Sequence, residues 1–143
     1  MQIRKSIQTP EWNEKVRQQV ISFWQERRVV FAEPQSDTLK GKRGTIWGNL
    51  TFYDMSKLMC TLTVSRTNST EIVCILDVNT FMQGITEWNK AYWQLELDTL
   101  ESWLLQGDKR EAEWQAFLRG VRKAAIQWTF SGGRSERKMP PKL

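Results

Sequence analysis

Histidine is absent from this sequence, and that prunes the available chemistry first. No imidazole can serve as a general acid or base, as a metal ligand, or as the base of a Ser–His or Cys–His nucleophile pair. Two cysteines, Cys60 and Cys74, are too few for a disulfide framework. Both fall in strand-like segments and are expected as reduced core thiols, near one another across a hairpin. Asp77, at the end of an apolar strand pattern, is the acid expected closest to the core, paired with a loop amide or a base. Glu96 falls between two apolar stripes of a helix and is expected to reach solvent along its stem. Gly41, Gly44 and Gly48 match neither the P-loop nor the dinucleotide fingerprint, and no Asp/Asn-rich loop offers a hard-cation site. The expectation is a chain with no cofactor and no metal, and the reading leans away from catalysis.

Binding chemistry is better represented. Lys40, Lys42 and Arg43 form one basic cluster, and Arg119, Arg122 and Lys123 share the back of the last predicted helix. Arg134, Arg137 and Lys138 lie in the C-terminal tail. Together these are the candidate contacts for phosphates or an anionic surface. No helix-turn-helix, zinc finger or aromatic ribonucleoprotein motif accompanies them. Trp47 and Tyr53 stand on the opposite side of their predicted strand from Ile46 and Leu50. Aromatic residues that escape burial are typical interface anchors, so these two are the candidate partner-binding residues.

The chain has 143 residues, enough for one ordinary domain with its own core, and 40% of them are hydrophobic. Its eight tryptophans are read chiefly as bulky core filler. No apolar run reaches the roughly 18 residues that a membrane span requires, and the N-terminal residues lack the apolar core of a signal peptide, so a cytoplasmic location is expected. The formal net charge is +5. Residues 131–143 contribute a net +3 of it, through Arg134, Arg137, Lys138 and Lys142 against Glu136. The domain is expected to span residues 1–131, with 132–143 a flexible basic tail.

The elements that must position these residues follow from periodicity. Gln2 to Gln8 is a short strand candidate. Thr9 and Pro10 read as N-cap and first residue of a helix to about Arg27, with Trp12, Val16, Val20 and Phe23 as its stripe, widened by Ile21 and Trp24. Strands are predicted at Val29 to Glu33, Gly44 to Tyr53, Lys57 to Ser65 and Glu71 to Val78, with Gln35 to Arg43 a loop. Short connections make these an antiparallel meander. A helix from Thr86 to Gln106 has two greasy sides: Trp88, Ala91, Tyr92, Leu95 and Trp103 on one, Trp93, Leu97, Leu100 and Leu104 on the other. The first is expected to meet the sheet and the second another helix. Gly107 supplies the C′ position, Asp108 with Glu111 a capping-box-like start, and a last helix runs from Lys109 to about Phe130.

The expected fold class is α+β: an N-terminal helix, a meander of about four antiparallel strands, and two long C-terminal helices on one sheet face. The leading functional expectation is a small non-enzymatic domain that binds a protein partner or forms a homo-oligomer, as an adaptor, chaperone-like or assembly factor. The alternative is a basic module for nucleic acid or an anionic surface. A third reading is an enzyme or apolar-ligand carrier, with a pocket between sheet and helices lined by tryptophan and methionine (Met55, Met59, Met82).

Overall fold

The computed structural model describes residues 1–33, 37–45, 57–80 and 87–130, with backbone only at 122 and 124–130. It has the α+β class expected. Five strands, β1 (Gln2–Gln8), β2 (Val30–Phe31), β3 (Thr38–Arg43), β4 (Cys60–Arg66) and β5 (Glu71–Val78), form one antiparallel sheet in the order β1-β5-β4-β3-β2. The meander of four runs from β2 to β5, and β1 returns to pair with β5. Three helices complete the fold: α1 (Glu14–Glu26), α2 (Glu87–Gln106) and α3 (Glu111–Phe130).

Period-2 alternation sorts the sheet into two faces. Ile7, Leu39, Leu62, Val64, Ile72, Cys74, Leu76 and Val78 point inward and join one core cluster with Val20, Phe23 and Trp24 of α1. The opposite face carries Arg4, Ser6, Lys40, Lys42, Thr61, Thr63, Val73, Ile75 and Asp77. Within β5 the inward residues are fully excluded from solvent, whereas Ile75 is half-buried and Asp77 exposed.

Several boundaries move. The first helix begins at Asn13, not Thr9: the Asn13 side chain accepts the Val16 N–H at 3.0 Å, which is the N-cap bond. Before it, the Thr9 and Trp12 amides donate to Thr70 and Ser69 across the β4–β5 turn, so this segment still follows the sheet. The segment read as a loop up to Arg43 contains β3, with Leu39, Gly41 and Arg43 all inward and buried. Gly41 is there because a Cβ would sit 2.4 Å from Val29 Cγ1. The strand expected at Gly44 to Tyr53 lies mostly outside the described residues. Gly44 itself has a φ of +71° and closes against the Leu58 carbonyl.

The α2 helix is covered on two sides, as its twin stripes require, but the faces are distributed differently. Trp93, Leu97, Leu100 and Leu104 belong to the main core with the sheet and α1. Trp88 and Tyr92 meet α3 instead, through Phe117 and Trp114 with ring centroids 5.4–6.2 Å apart. Trp103 stacks on Phe23 of α1 at 5.7 Å. Gly107, with φ +71°, closes α2 as expected, its amide donating to the Trp103 carbonyl. The Asp108 carboxylate accepts the Arg110 amide, so α3 begins at Glu111 rather than Lys109. Trp114 Nε1 then donates to Thr99 Oγ1 at 2.9 Å, fastening α3 to α2.

Candidate functional site

The charged residues divide into a buried ionic centre and an open sheet surface. Arg43 closes β3 at an inward position opposite Cys60. Its two terminal nitrogens donate to the two Glu96 oxygens, each at 2.6 Å, in a bidentate pair excluded from solvent. Arg27, just past α1, places Nε 3.6 Å from the same carboxylate and lies over the Phe23 ring at 3.6 Å. One carboxylate thus ties α2 to β3 and to the end of α1. Burial works against the Arg43 charge, but Glu96, through its charge and both hydrogen bonds, outweighs it and holds the guanidinium pKa above its ordinary value. For Arg27 burial dominates and the pKa falls below its ordinary value, Glu96 opposing. The centre is incompletely satisfied: Arg43 Nε is buried without a hydrogen-bond partner among the described residues, as are the indole N–H groups of Trp24 and Trp93.

This arrangement exchanges the two expected acids. Glu96 does not reach solvent and is fully buried, while Asp77 stands exposed on the outer face. Glu96 stays inside because Arg43 and Arg27 meet its carboxylate there. Arg43 is likewise separated from Lys40 and Lys42, which alternate with it and project from the outer face without an ion pair among the described residues. Arg119 and Lys123 are exposed on α3, and the absent side chain of Gly120 makes room for Trp88. The side chain of Arg122, and all of Trp47, Tyr53, Arg134, Arg137 and Lys138, lie outside the described residues. So does the tail as a whole.

Cys60 and Cys74 are free, buried and on one face of the sheet. They are not neighbours: Cys60 pairs with Val78 and Cys74 with Val64. Four residues along a strand separate these pairs by roughly 13 Å. Burial pushes the Cys60 thiol up to about 11, with Arg43 pulling the other way, and the Cys74 thiol up to about 12, with Lys5 opposing. Both are therefore protonated and poorly nucleophilic near neutral pH. Between sheet and helices, where a ligand pocket was an alternative, Trp24, Trp93, Phe23 and their neighbours occupy the interior. An open depression of about 530 Å³ lies elsewhere, at the sheet end, lined by residues including Met1, Met59, Asp77 and Asn79.

A second ionic cluster fixes β1 under α2. Lys5 Nζ donates to Asp98 at 2.7 Å and Glu101 at 2.6 Å, and Arg110 approaches Asp98 at 3.7 Å. Burial lowers the Lys5 pKa, but its hydrogen bonds to both carboxylates win and the net shift is upward. Comparison with protein-family models, curated proteins and solved structures yields no match. No helix among the described residues is long and apolar enough to cross a membrane.

Proposed function

We propose that this chain is a non-enzymatic domain that binds a protein partner on the open side of its sheet. The observation that carries the reading is that, among the described residues, the helices cover one face of that sheet only. The α1 and α2 helices share a core with the inner face, and the outer face presents a mixed surface. Half-buried Ile75 lies at its middle next to Val73, which is itself buried; Thr61, Thr63 and Ser65 lie beside them, and Arg4, Lys40, Lys42, Asp77 and Glu71 are distributed around them. Apolar centre, hydroxyl groups and charges of both signs are the composition of a protein interface. A polyphosphate chain crossing the same face would meet two carboxylates. Trp47 and Tyr53, outside the described residues, are kept as proposed aromatic anchors for a protein partner. The catalytic alternative is weakened because Glu96, Arg43 and both thiols are committed to the interior.

Capture from nuclease-treated lysate tests this reading, with the full chain compared against Lys40→Glu/Lys42→Glu and Arg119→Glu/Lys123→Glu variants. The expected result is a protein that survives nuclease and is lost with the sheet variant alone. Recovery that vanishes with nuclease, or that follows Arg119 and Lys123 while ignoring the sheet, would transfer the assignment to nucleic acid.

A further inference from the structure

The free edge of β1 is the part of the open sheet whose geometry specifies a binding mode. Met1 exchanges both backbone hydrogen bonds with Val78, and the Thr9 amide donates to Thr70, so odd-numbered residues of β1 bond toward β5 at both ends of the strand. By the alternation of an antiparallel ladder, the peptide groups of Gln2, Arg4, Ser6 and Gln8 point away from β5, to the free edge. One of these is already occupied. Glu101 reaches down from α2 and accepts the Gln8 amide on Oε1 at 2.9 Å, while its Oε2 holds Lys5. The carboxylate closes one end of the edge, as edge-protecting devices do. The groups of Gln2, Arg4 and Ser6 carry no such cap among the described residues.

We infer that β1 accepts an extended, acidic segment of a protein partner as a sixth strand, paired through the peptide groups of Gln2, Arg4 and Ser6. The inference rests on the protein-binding reading and names its mode. Backbone pairing supplies the bonds, and alternate side chains supply selectivity. On the outer face the added strand passes beside Arg4, which is exposed and has no carboxylate partner among the described residues, so acidic residues fit there. On the inner face it passes beside half-buried Ile3, where an aliphatic side chain fits. A second copy of this chain is a poorer occupant. Pairing centred on Arg4, the register that uses Gln2, Arg4 and Ser6 of both copies, sets Arg4 against Arg4, and like charges directly opposite are unfavourable.

The test follows individual amides of the full chain by hydrogen exchange. The probe is a short peptide alternating glutamate with valine. In the free protein the Arg4 and Ser6 amides should exchange quickly while Lys5 and Ile7 are protected. The peptide should slow Arg4 and Ser6 by about tenfold or more. The same peptide N-methylated at its pairing positions should not, nor should one with lysine in place of glutamate. Arg4→Glu should invert the preference between the two charged peptides. Fast Arg4 and Ser6 exchange at saturating peptide, or their protection in the free protein, would overturn strand addition. So would retention of a captured partner by Ser6→Pro and Arg4→Glu variants with native circular dichroism, and that result would leave the protein-binding reading standing. Peptide protection with no captured protein would have the opposite meaning.

Discussion

Removing the Glu96 charge should cost more than any other single conservative change in the described residues. Glu96→Gln leaves Arg43 buried, still cationic and without a counter-ion, with Arg27 nearby adding repulsion. Breaking a buried pair from one side costs about 3–5 kcal/mol, at least about a fifth of the roughly 5–15 kcal/mol that holds an ordinary domain together. With a urea dependence of about 2 kcal/mol per molar, the unfolding midpoint should fall by about 2 M. Arg43→Met should cost less, because Glu96 then keeps Arg27 at 3.6 Å. The double variant Arg43→Met/Glu96→Leu should recover most of the loss. It also removes the Arg43 Nε, which has no hydrogen-bond partner among the described residues, and apolar replacement of whole buried pairs is often neutral or stabilising. Equilibrium urea unfolding of the four proteins, followed by tryptophan fluorescence, measures all three differences. A Glu96→Gln cost under about 1 kcal/mol would refute the reasoning, since no desolvated charge pair behaves so. A double variant no better than Glu96→Gln would show that the centre matters through shape and not charge.

Three further outcomes are expected. Stability should be level up to about pH 9 and then fall, because the thiol pKa values are raised to about 11 and 12 in the fold: above the unfolded value of 9.0 the unfolded chain loses protons that the native state keeps. Each thiol should contribute up to about 1.4 kcal/mol per pH unit in that window; urea midpoints from pH 8 to 10.5 check the sign, and Cys60→Ala/Cys74→Ala should flatten the slope. Gly44→Ala should cost about 1–3 kcal/mol, since its φ is +71° and a Cβ would lie 2.3 Å from the Leu58 carbonyl oxygen; an unchanged melting curve would contradict this. Deleting residues 132–143 lowers the formal charge from +5 to +2 and should move the melting temperature by less than about 2 °C, a larger drop meaning that the tail packs on the domain.

Where local pattern decides an element, the sequence is a good guide. The α1 stripe of Val16, Val20 and Phe23 and the apolar run of β5 are buried as their periodicities require. The two greasy sides of α2 imply cover on both, which α1, the sheet and α3 provide. The hairpin register was less legible, because turn chemistry at residues 66–70 permits several pairings. The observed one sets Arg66 against Ile72, with the Thr67 amide donating to Glu71 and Asn68 holding Thr70 inside the turn. Each shift of register moves Cys60 relative to Cys74. The β3 strand is disguised for another reason. Its inward positions hold Leu39, Gly41 and Arg43, so the alternation lacks the apolar letters that announce a strand. Gly41 is explained only by Val29 and Phe31 across the β2–β3 pair, and Arg43 only by a carboxylate 53 residues away.

The ionic centre was half legible in the sequence. Glu96 is a charged residue set between the apolar stripes of a helix, whereas the inward position of Arg43 shows only once β3 is known to be a strand. Either alone looks like a residue that will bend toward water. Two such residues of opposite sign in a chain this small are candidates for each other, because neither can be buried without a partner. The open edge left no mark. Gln2, Arg4, Ser6 and Gln8 read as an ordinary solvated face, and what distinguishes them is that β1 pairs with β5 alone. That pairing joins Ile3 to Leu76, more than half the chain apart, so which peptide groups are left over is a property of strand order and not of any segment.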